Sequence, residues 1–249
     1  MPPSDKVHIA PIEDADLPGA FRMMSLSFGS DAPFINAYFL AHDTPAGQAQ
    51  GAERLLAWKQ SSPDSQFLKA VSVRGGEEAI IGIGIWTYMV EQPPQTLEDA
   101  EGEDDVSKYW PMEEERDWMK ALWKEYVKPR TMAVVRSKGK GVYGMRLLNS
   151  FASILETNIL CDKVLELLAV HPEYRRLGAG AALVNAGLAA ADEKGVGAVI
   201  ESTDAGRLLY EKCGLKCEIE KMKFDVGGGC SEKETPKLCF MVKGASGAS

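Results

Sequence analysis

The run Arg175-x-x-Gly178-x-Gly180 is the stretch whose residue types and spacing are fit for chemistry. An apolar run, Val164-Leu-Glu-Leu-Leu-Ala-Val170, precedes it, with His171-Pro172 as a turn between them. A helical pattern starts directly after it. Strand, glycine bend and helix start together make an anion site, because small residues let the backbone approach the ligand. The free N–H groups of a first helical turn then point at the anion. Arg175 and Arg176 add positive charge at the same place. The spacing excludes two commoner phosphate loops: neither G-x-G-x-x-G directly after the strand nor G-x-x-x-x-G-K-S/T is present.

Taken with Val170, Pro172 and the helix that follows, this run resembles the acetyl-CoA motif of the GNAT superfamily of N-acetyltransferases, in a fungal-type subgroup. That motif is written Q/R-x-x-G-x-G/A after a strand ending V-x-P. The resemblance implies an α/β fold of the GNAT (acyl-CoA N-acyltransferase) kind, with a mixed, mainly antiparallel central sheet flanked by helices on both faces. It implies acetyl-CoA as cosubstrate, no metal, and a small-molecule amine as acceptor. By the same resemblance, the backbone of Leu168, Ala169 and Val170 holds the pantetheine arm. The pyrophosphate rests on the N–H groups of Arg176, Leu177, Gly178, Ala179, Gly180 and Ala181, and Arg175 fills the Q/R position.

A second element, Leu209-Tyr210-Glu211-Lys212-Cys213-Gly214-Leu215, resembles the family's L-Y-x-K-x-G-F, with Leu215 where Phe is usual. It implies that Tyr210 lies by the sulfur of CoA and acts as general acid. Ser202-Thr203-Asp204 stands where the family often carries an asparagine before this helix. Glu166 is the candidate base. It alternates in phase with Leu168 and Val170, on the strand where several family members carry a base carboxylate. A glutamate inside an apolar strand is costly unless paired or at an edge, so an ion-paired Glu166 is the competing reading. His171 holds the variable position before Pro172 and is expected to face solvent.

Acetyl transfer from a thioester to an amine needs loss of the amine's protons, a donor for the developing oxyanion and an acid for the leaving thiolate. Direct attack in a ternary complex needs no nucleophilic Ser or Cys. Two alternatives stay open: a CoA-binding but inactive sensor or scaffold of the same fold, and transfer of a longer acyl group.

These residues need a sheet and several helices to place them. Hydrophobic residues make up 45% of the 249, enough for a sizeable core. A net charge of −8 argues against nucleic-acid binding by bulk electrostatics. The five cysteines are odd in number, no leader is visible and no apolar run reaches membrane length, which together suggest a reducing, cytoplasmic compartment. Cys213-x-x-x-Cys217 lacks a nearby His and reads as free thiols rather than half a zinc site. A monomer or homodimer is expected, with no membrane partner.

Along the chain, Val7–Ile12 reads as a strand, followed by an acidic cap and a helix through Leu17, Phe21, Met24 and Phe28. Short helices are predicted at 34–40 and 48–59. Phe28, Phe34, Tyr38 and Phe39 either line the acceptor site or pack in the core. Two strands, 67–73 and 79–89, are joined by a turn at Gly75-Gly76, and the second is apolar on both faces, as a central strand is. Residues 90–135 read as an insertion: an exposed acidic loop over 91–105, then an amphipathic helix over 113–126. Residues 144–163 read as a second, atypical insertion foreign to the fold. A slim helix over 178–194 follows the motif, with Leu183, Ala186, Gly187 and Ala190 facing the sheet. A strand at 198–201, the helix 205–212 and strands over 216–226 and 236–243 complete a single domain ending in a disordered tail, 244–249.

Overall fold

The computed structural model describes residues 6–63, 65–74, 77–89, 92–139, 162–227 and 233–245. Its strands are β1 (Lys6–Pro11), β2 (Ser65–Arg74), β3 (Glu77–Met89), β4 (Asp162–Val170), β5 (Ala198–Thr203), β6 (Lys216–Ile219) and β7 (Leu238–Lys243). They form one sheet in the order β1-β2-β3-β4-β5-β7-β6. Every neighbouring pair is antiparallel except β4 with β5. Ile81 through Trp86 of β3 are buried, as the unbroken apolar run predicts for an interior strand.

The helices are α1 (Leu17–Phe28), α2 (Pro33–Tyr38), α3 (Pro45–Ser61), α4 (Leu97–Glu101), α5 (Glu103–Tyr109), α6 (Glu113–Tyr126), α7 (Lys128–Gly139), α8 (Ala179–Glu193) and α9 (Asp204–Lys212). On one face of the sheet, α1 and α3 bury Phe21, Met24 and Leu55 against Ile83, Ile85, Leu167 and Ala169. On the other face, α8 packs Val184 and Leu188 against Trp86, Leu165, Ala198 and Ile200.

Helix α8 lies close on the sheet because of Gly187. A Cβ there would sit 2.0 Å from the Trp86 indole, whose Nε1 donates to the Leu183 carbonyl at 3.2 Å. The buried stripe of α8 runs through Leu183, Val184, Gly187, Leu188 and Ala191, while Ala186 and Ala190 stand half-buried at its margin. Gly187→Ala therefore tests this contact. Alanine favours a helix by about 1 kcal/mol over glycine, but overpacking a filled core costs about 1–3 kcal/mol. The expected result is a lower urea midpoint with unchanged m-value.

Three segments differ from the sequence reading. The acidic run 91–105 is not simply an exposed loop, because it contains α4 and the start of α5. Leu97 is buried there, in a small cluster with Val106, Trp110, Trp118 and Leu122, against Ala37 of α2. Arg54 of α3 ties this cluster down. Its guanidinium bonds Glu101 at 3.0 Å and lies 4.2–4.9 Å from the ring centroids of Tyr38, Phe39, Tyr109 and Trp110. Second, Asp162 and Lys163 belong to β4. Lys163 pairs with Tyr88 and Ala198 in the sheet, is fully buried, bonds Gln66 through Nζ, and is held by burial at a pKa of about 8. The rest of 144–163, the Gly75-Gly76 turn and 246–249 lie outside the described residues. Third, β6 stops at Ile219, short of the strand expected over 216–226.

Candidate functional site

The sheet opens between β4 and β5. Their parallel pairing covers Lys163–Ala198, Val164–Val199 and Leu165–Ile200, and then ends. Beyond that point β4 stays with β3 as far as Val170, and β5 stays with β7 as far as Thr203. The two strands diverge into a split, and the backbone groups of Glu166–Val170 on the β5 side have no strand partner there among the described residues. The Val170 carbonyl accepts a hydrogen bond from the Ser27 hydroxyl at 3.0 Å.

The glycine loop stands at the open end of β4. His171 starts a short 3-10 turn and accepts from the Glu173 N–H at 3.3 Å; its ring packs edge-on to Tyr174 and is half-buried rather than free in solvent. Arg176 and Gly178 both adopt positive φ, 69° and 88°. Gly178 is left-handed and Ala179, next to it, begins the helix; a left-handed residue beside a right-handed one turns successive N–H groups to one side, the geometry of anion-binding nests. Gly178 is the N-cap of α8. The first helical amide bond is Ala182 N–H to the Gly178 carbonyl at 2.9 Å, so the N–H groups of Ala179, Gly180 and Ala181 project from the helix end. Arg175 donates to the Ser27 carbonyl at 2.9 Å. Arg175, Arg176 and Leu177 are exposed. A Cβ on Gly180 would come within 3.0 Å of Leu209 and 3.6 Å of Val170, which sets the loop beside the split.

Tyr210 faces the same opening from α9. Its ring fits because residue 206 is glycine: a Cβ there would be 2.9 Å from Cε2 of Tyr210. Burial pushes the Tyr210 phenol well above its usual pKa, so it stays protonated. Leu168, Val170, Glu166, Gly206 and Tyr210 all line one cleft of about 1230 Å³. That exceeds the usual range for one small ligand, about 300–1,000 Å³, and leaves room for two.

Glu166 is placed by a β-bulge. The β3–β4 register steps from Ile85–Leu167 to Trp86–Leu165, so Glu166 is the extra residue. A bulge breaks alternation and re-aims a side chain. The in-phase reading of Glu166 with Leu168 and Val170 is thereby overturned. Leu168 and Val170 pack with Leu183 on the α8 face, whereas Glu166 turns to the α7 face and meets Arg130 at 2.6 Å. Arg130 also bonds Glu201 through Nε and a terminal nitrogen, at 2.8 and 2.6 Å. The Tyr126 hydroxyl donates to Glu201 at 3.1 Å and accepts from Arg130 at 2.8 Å. Glu201 is thus fully engaged, and its side chain is 2% exposed. Glu166 gives Arg130 one oxygen only; Oε1 has no protein partner among the described residues, and the side chain is 20% exposed. Burial raises the Glu166 pKa, with the Arg130 charge opposing.

Arg130, Glu201 and Tyr126 escaped the sequence reading as site residues. The signals were Lys128-Pro129-Arg130, where Pro in a first turn marks a helix start, and the i,i+4 spacing of Tyr126 and Arg130. The fold also assembles a Ser–His–Asn relay: Ser25 Oγ is 2.8 Å from His42 Nδ1, and His42 Nε2 is 2.9 Å from Asn36 Oδ1. Ser25 and His42 are buried, and the serine proton is directed to the His42 carbonyl at 2.8 Å, so the relay ties α1 to the loop after α2. Cys213, Cys217 and Cys239 are free thiols, and no group of three metal-ligating side chains occurs among the described residues. No described helix is long and apolar enough to cross a membrane.

Among the described residues, the mixed sheet of seven strands splits at its parallel pair, β4–β5, with a glycine-capped helix at the split. A family model described as an acetyltransferase (GNAT) domain matches residues 128–216. The fold is the GNAT fold. The matched residues run from the start of α7 to the start of β6 and so contain Arg130, Glu166, the glycine loop and Tyr210. Solved GNAT-fold structures agree along nearly the whole chain. The structure of histone acetyltransferase HPA2 and related acetyltransferase from Corynebacterium glutamicum is 16% identical, covers 97% of each chain and superposes with a TM-score of 0.53. Arylalkylamine N-acetyltransferase 2 from Aedes aegypti is 14% identical over 96% of this chain and 99% of its own, with a TM-score of 0.52. No curated protein matches the sequence.

Proposed function

We propose that this protein is an N-acetyltransferase that moves the acetyl group of acetyl-CoA to a primary amine by direct attack. The observation that carries the reading is the β4–β5 split beyond Leu165 and Ile200, bounded by the Gly178-capped helix at one end and Tyr210 at the side. A thioester arm lying in the split would take backbone hydrogen bonds from Leu168, Ala169 and Val170. Its pyrophosphate would rest on the N–H groups from Arg176 through Ala181, where the helix dipole favours negative charge.

Glu166 is the base of this mechanism. It takes one proton from the bound ammonium at Oε1, directly or through one water. The freed amine nitrogen forms a bond to the carbonyl carbon, the carbon–sulfur bond breaks, and Tyr210 gives its hydroxyl proton to the departing thiolate. The second nitrogen proton returns to Tyr210 through water, and Glu166 sheds its proton to solvent. A β4 amide facing the split supplies the donor for the developing oxyanion.

Gly178 tests the cosubstrate site. Its positive φ disfavours any side chain, although open space surrounds the Cβ position. Gly178→Val should weaken acetyl-CoA binding at least about tenfold, because a β-branched residue at that φ is a conformational outlier and the N–H groups lose their aim. Calorimetry on the folded variant measures this, and unchanged affinity would falsify the loop assignment. Thiol release with a panel of amines tests the reaction itself. CoA binding with no turnover on any amine would leave a CoA-binding protein of the same fold.

A further inference from the structure

We propose that the acceptor is a monocationic amine carried on an aromatic or similarly bulky apolar body, bound with its ammonium at Glu166 and its body against the rings of α2 and α6. This rests on the acetyltransferase reading and goes further by naming the substrate class. Four aromatic residues wall the acceptor end of the cleft: Phe34 and Tyr38 from α2, Trp123 and Tyr126 from α6. They form one connected surface. Phe34 stacks on Tyr126 at 4.3 Å between centroids and on Tyr38 at 6.0 Å, and Tyr38 stacks on Trp123 at 6.2 Å. Phe34, Tyr38 and Trp123 remain half-buried, so ring area is left to a ligand. Trp123 is held in place by its Nε1, which donates to the Pro94 carbonyl at 3.0 Å.

The charges beside Glu166 suit one cation there. Asp31, Asp105, Asp204 and Glu234 also line the cleft; of Glu101, Glu166 and Glu201, Glu101 is neutralised by Arg54 and bonded by Tyr38. Glu201 is saturated by Arg130 and Tyr126. Glu166 alone among the three keeps an oxygen, Oε1, without a protein partner among the described residues. Arg130 serves Glu166 and Glu201 together, so that cluster carries one net negative charge. A single ammonium balances it. A polyamine would bring further cations next to Arg54 and Arg130, where like charge is unfavourable. The aromatic wall offers such a chain little, whereas it gives an apolar body ring contact and burial.

The test uses the purified full chain with acetyl-CoA and four acceptors: phenethylamine, propylamine, spermidine and a short peptide with a free N-terminus. Thiol release should give phenethylamine a kcat/KM at least about tenfold above each of the others, the size of one aromatic contact. Trp123→Leu should cut the phenethylamine-to-propylamine selectivity ratio by at least about fivefold, with acetyl-CoA affinity as the folding control. Preference for spermidine or the peptide overturns the proposal, as does an unchanged selectivity ratio in folded Trp123→Leu. Calorimetric titration of each amine into the CoA-bound protein separates this failure from that of the underlying reading. Selective binding of phenethylamine without any turnover upholds the acceptor site and sinks the catalytic reading. Absence of selective binding sinks the acceptor site whether or not some amine is acetylated.

Discussion

Replacing Tyr210 by Phe should lower kcat about a hundredfold while leaving the affinity for acetyl-CoA within about twofold. The asymmetry follows from where the hydroxyl acts. Phe keeps the ring that packs beside Gly206 and in the cluster with Leu215 and Met241, so the cleft keeps its shape. On the proposed mechanism, what is lost is the proton for the leaving sulfur. General acid catalysis contributes about 10²–10⁴ in rate. An alkyl thiol with a pKa near the ordinary value of about 8.5 is already a fair leaving group, so the loss belongs at the low end of that range. Steady-state kinetics with saturating amine, beside calorimetry of acetyl-CoA, measures both quantities. An unchanged kcat would remove Tyr210 from the chemistry and leave it a packing residue.

Arg130→Ala has the largest expected effect on stability. It strands Glu201, whose side chain is 2% exposed, and removes the partner that Glu166 has among the described residues. Leaving buried charges without their counter-ion costs about 3–5 kcal/mol. For a domain of this size that lowers the melting temperature by roughly 6–20 °C. Arg130→Lys keeps the charge but loses the fork that grips Glu201 through two nitrogens, and should fall between wild type and Arg130→Ala. On the proposed mechanism Arg130 positions Glu166, and the pH profile tells this role from a structural one. Burial pushes the Glu166 pKa up and Arg130 draws it down. With Arg130 gone, burial is less opposed, so the carboxyl holds its proton to higher pH. The acidic limb of kcat/KM should therefore move to higher pH in Arg130→Ala, measured below its melting temperature. A destabilised enzyme with an unmoved limb would refute the coupling of Arg130 to Glu166.

The loop geometry was legible because it depends on local rules. Gly178 takes a left-handed conformation to cap α8, and Gly180 sits in tight contact with Leu209, so the spacing of small residues is a direct imprint of backbone geometry. The apolar run of β3 announced an interior strand, and the stripe of Trp118, Leu122 and Tyr126 announced α6 over its observed span. Leu97 was illegible for the opposite reason. One apolar residue amid acid, proline and glutamine carries no period, and only the neighbouring rings of α5 and α6 make its burial worthwhile.

Glu166 shows where the two kinds of information divide. The sequence by itself determined the strand β4, the glycine bend after it and the helix that follows, and it nominated the bend as an anion site and Glu166 and Tyr210 as a candidate pair, because residue type and short-range spacing set those features. Tertiary structure alone decided which way Glu166 points and what it meets. A bulge opposite Ile85 and Trp86 turns it away from the phase of Leu168 and Val170, and Arg130, 36 residues earlier in the chain, arrives from α7 to bind it. Strand alternation is a local rule, but a bulge and a bridging arginine are settled by how strands and helices pack across the sheet. No spacing within one segment records that.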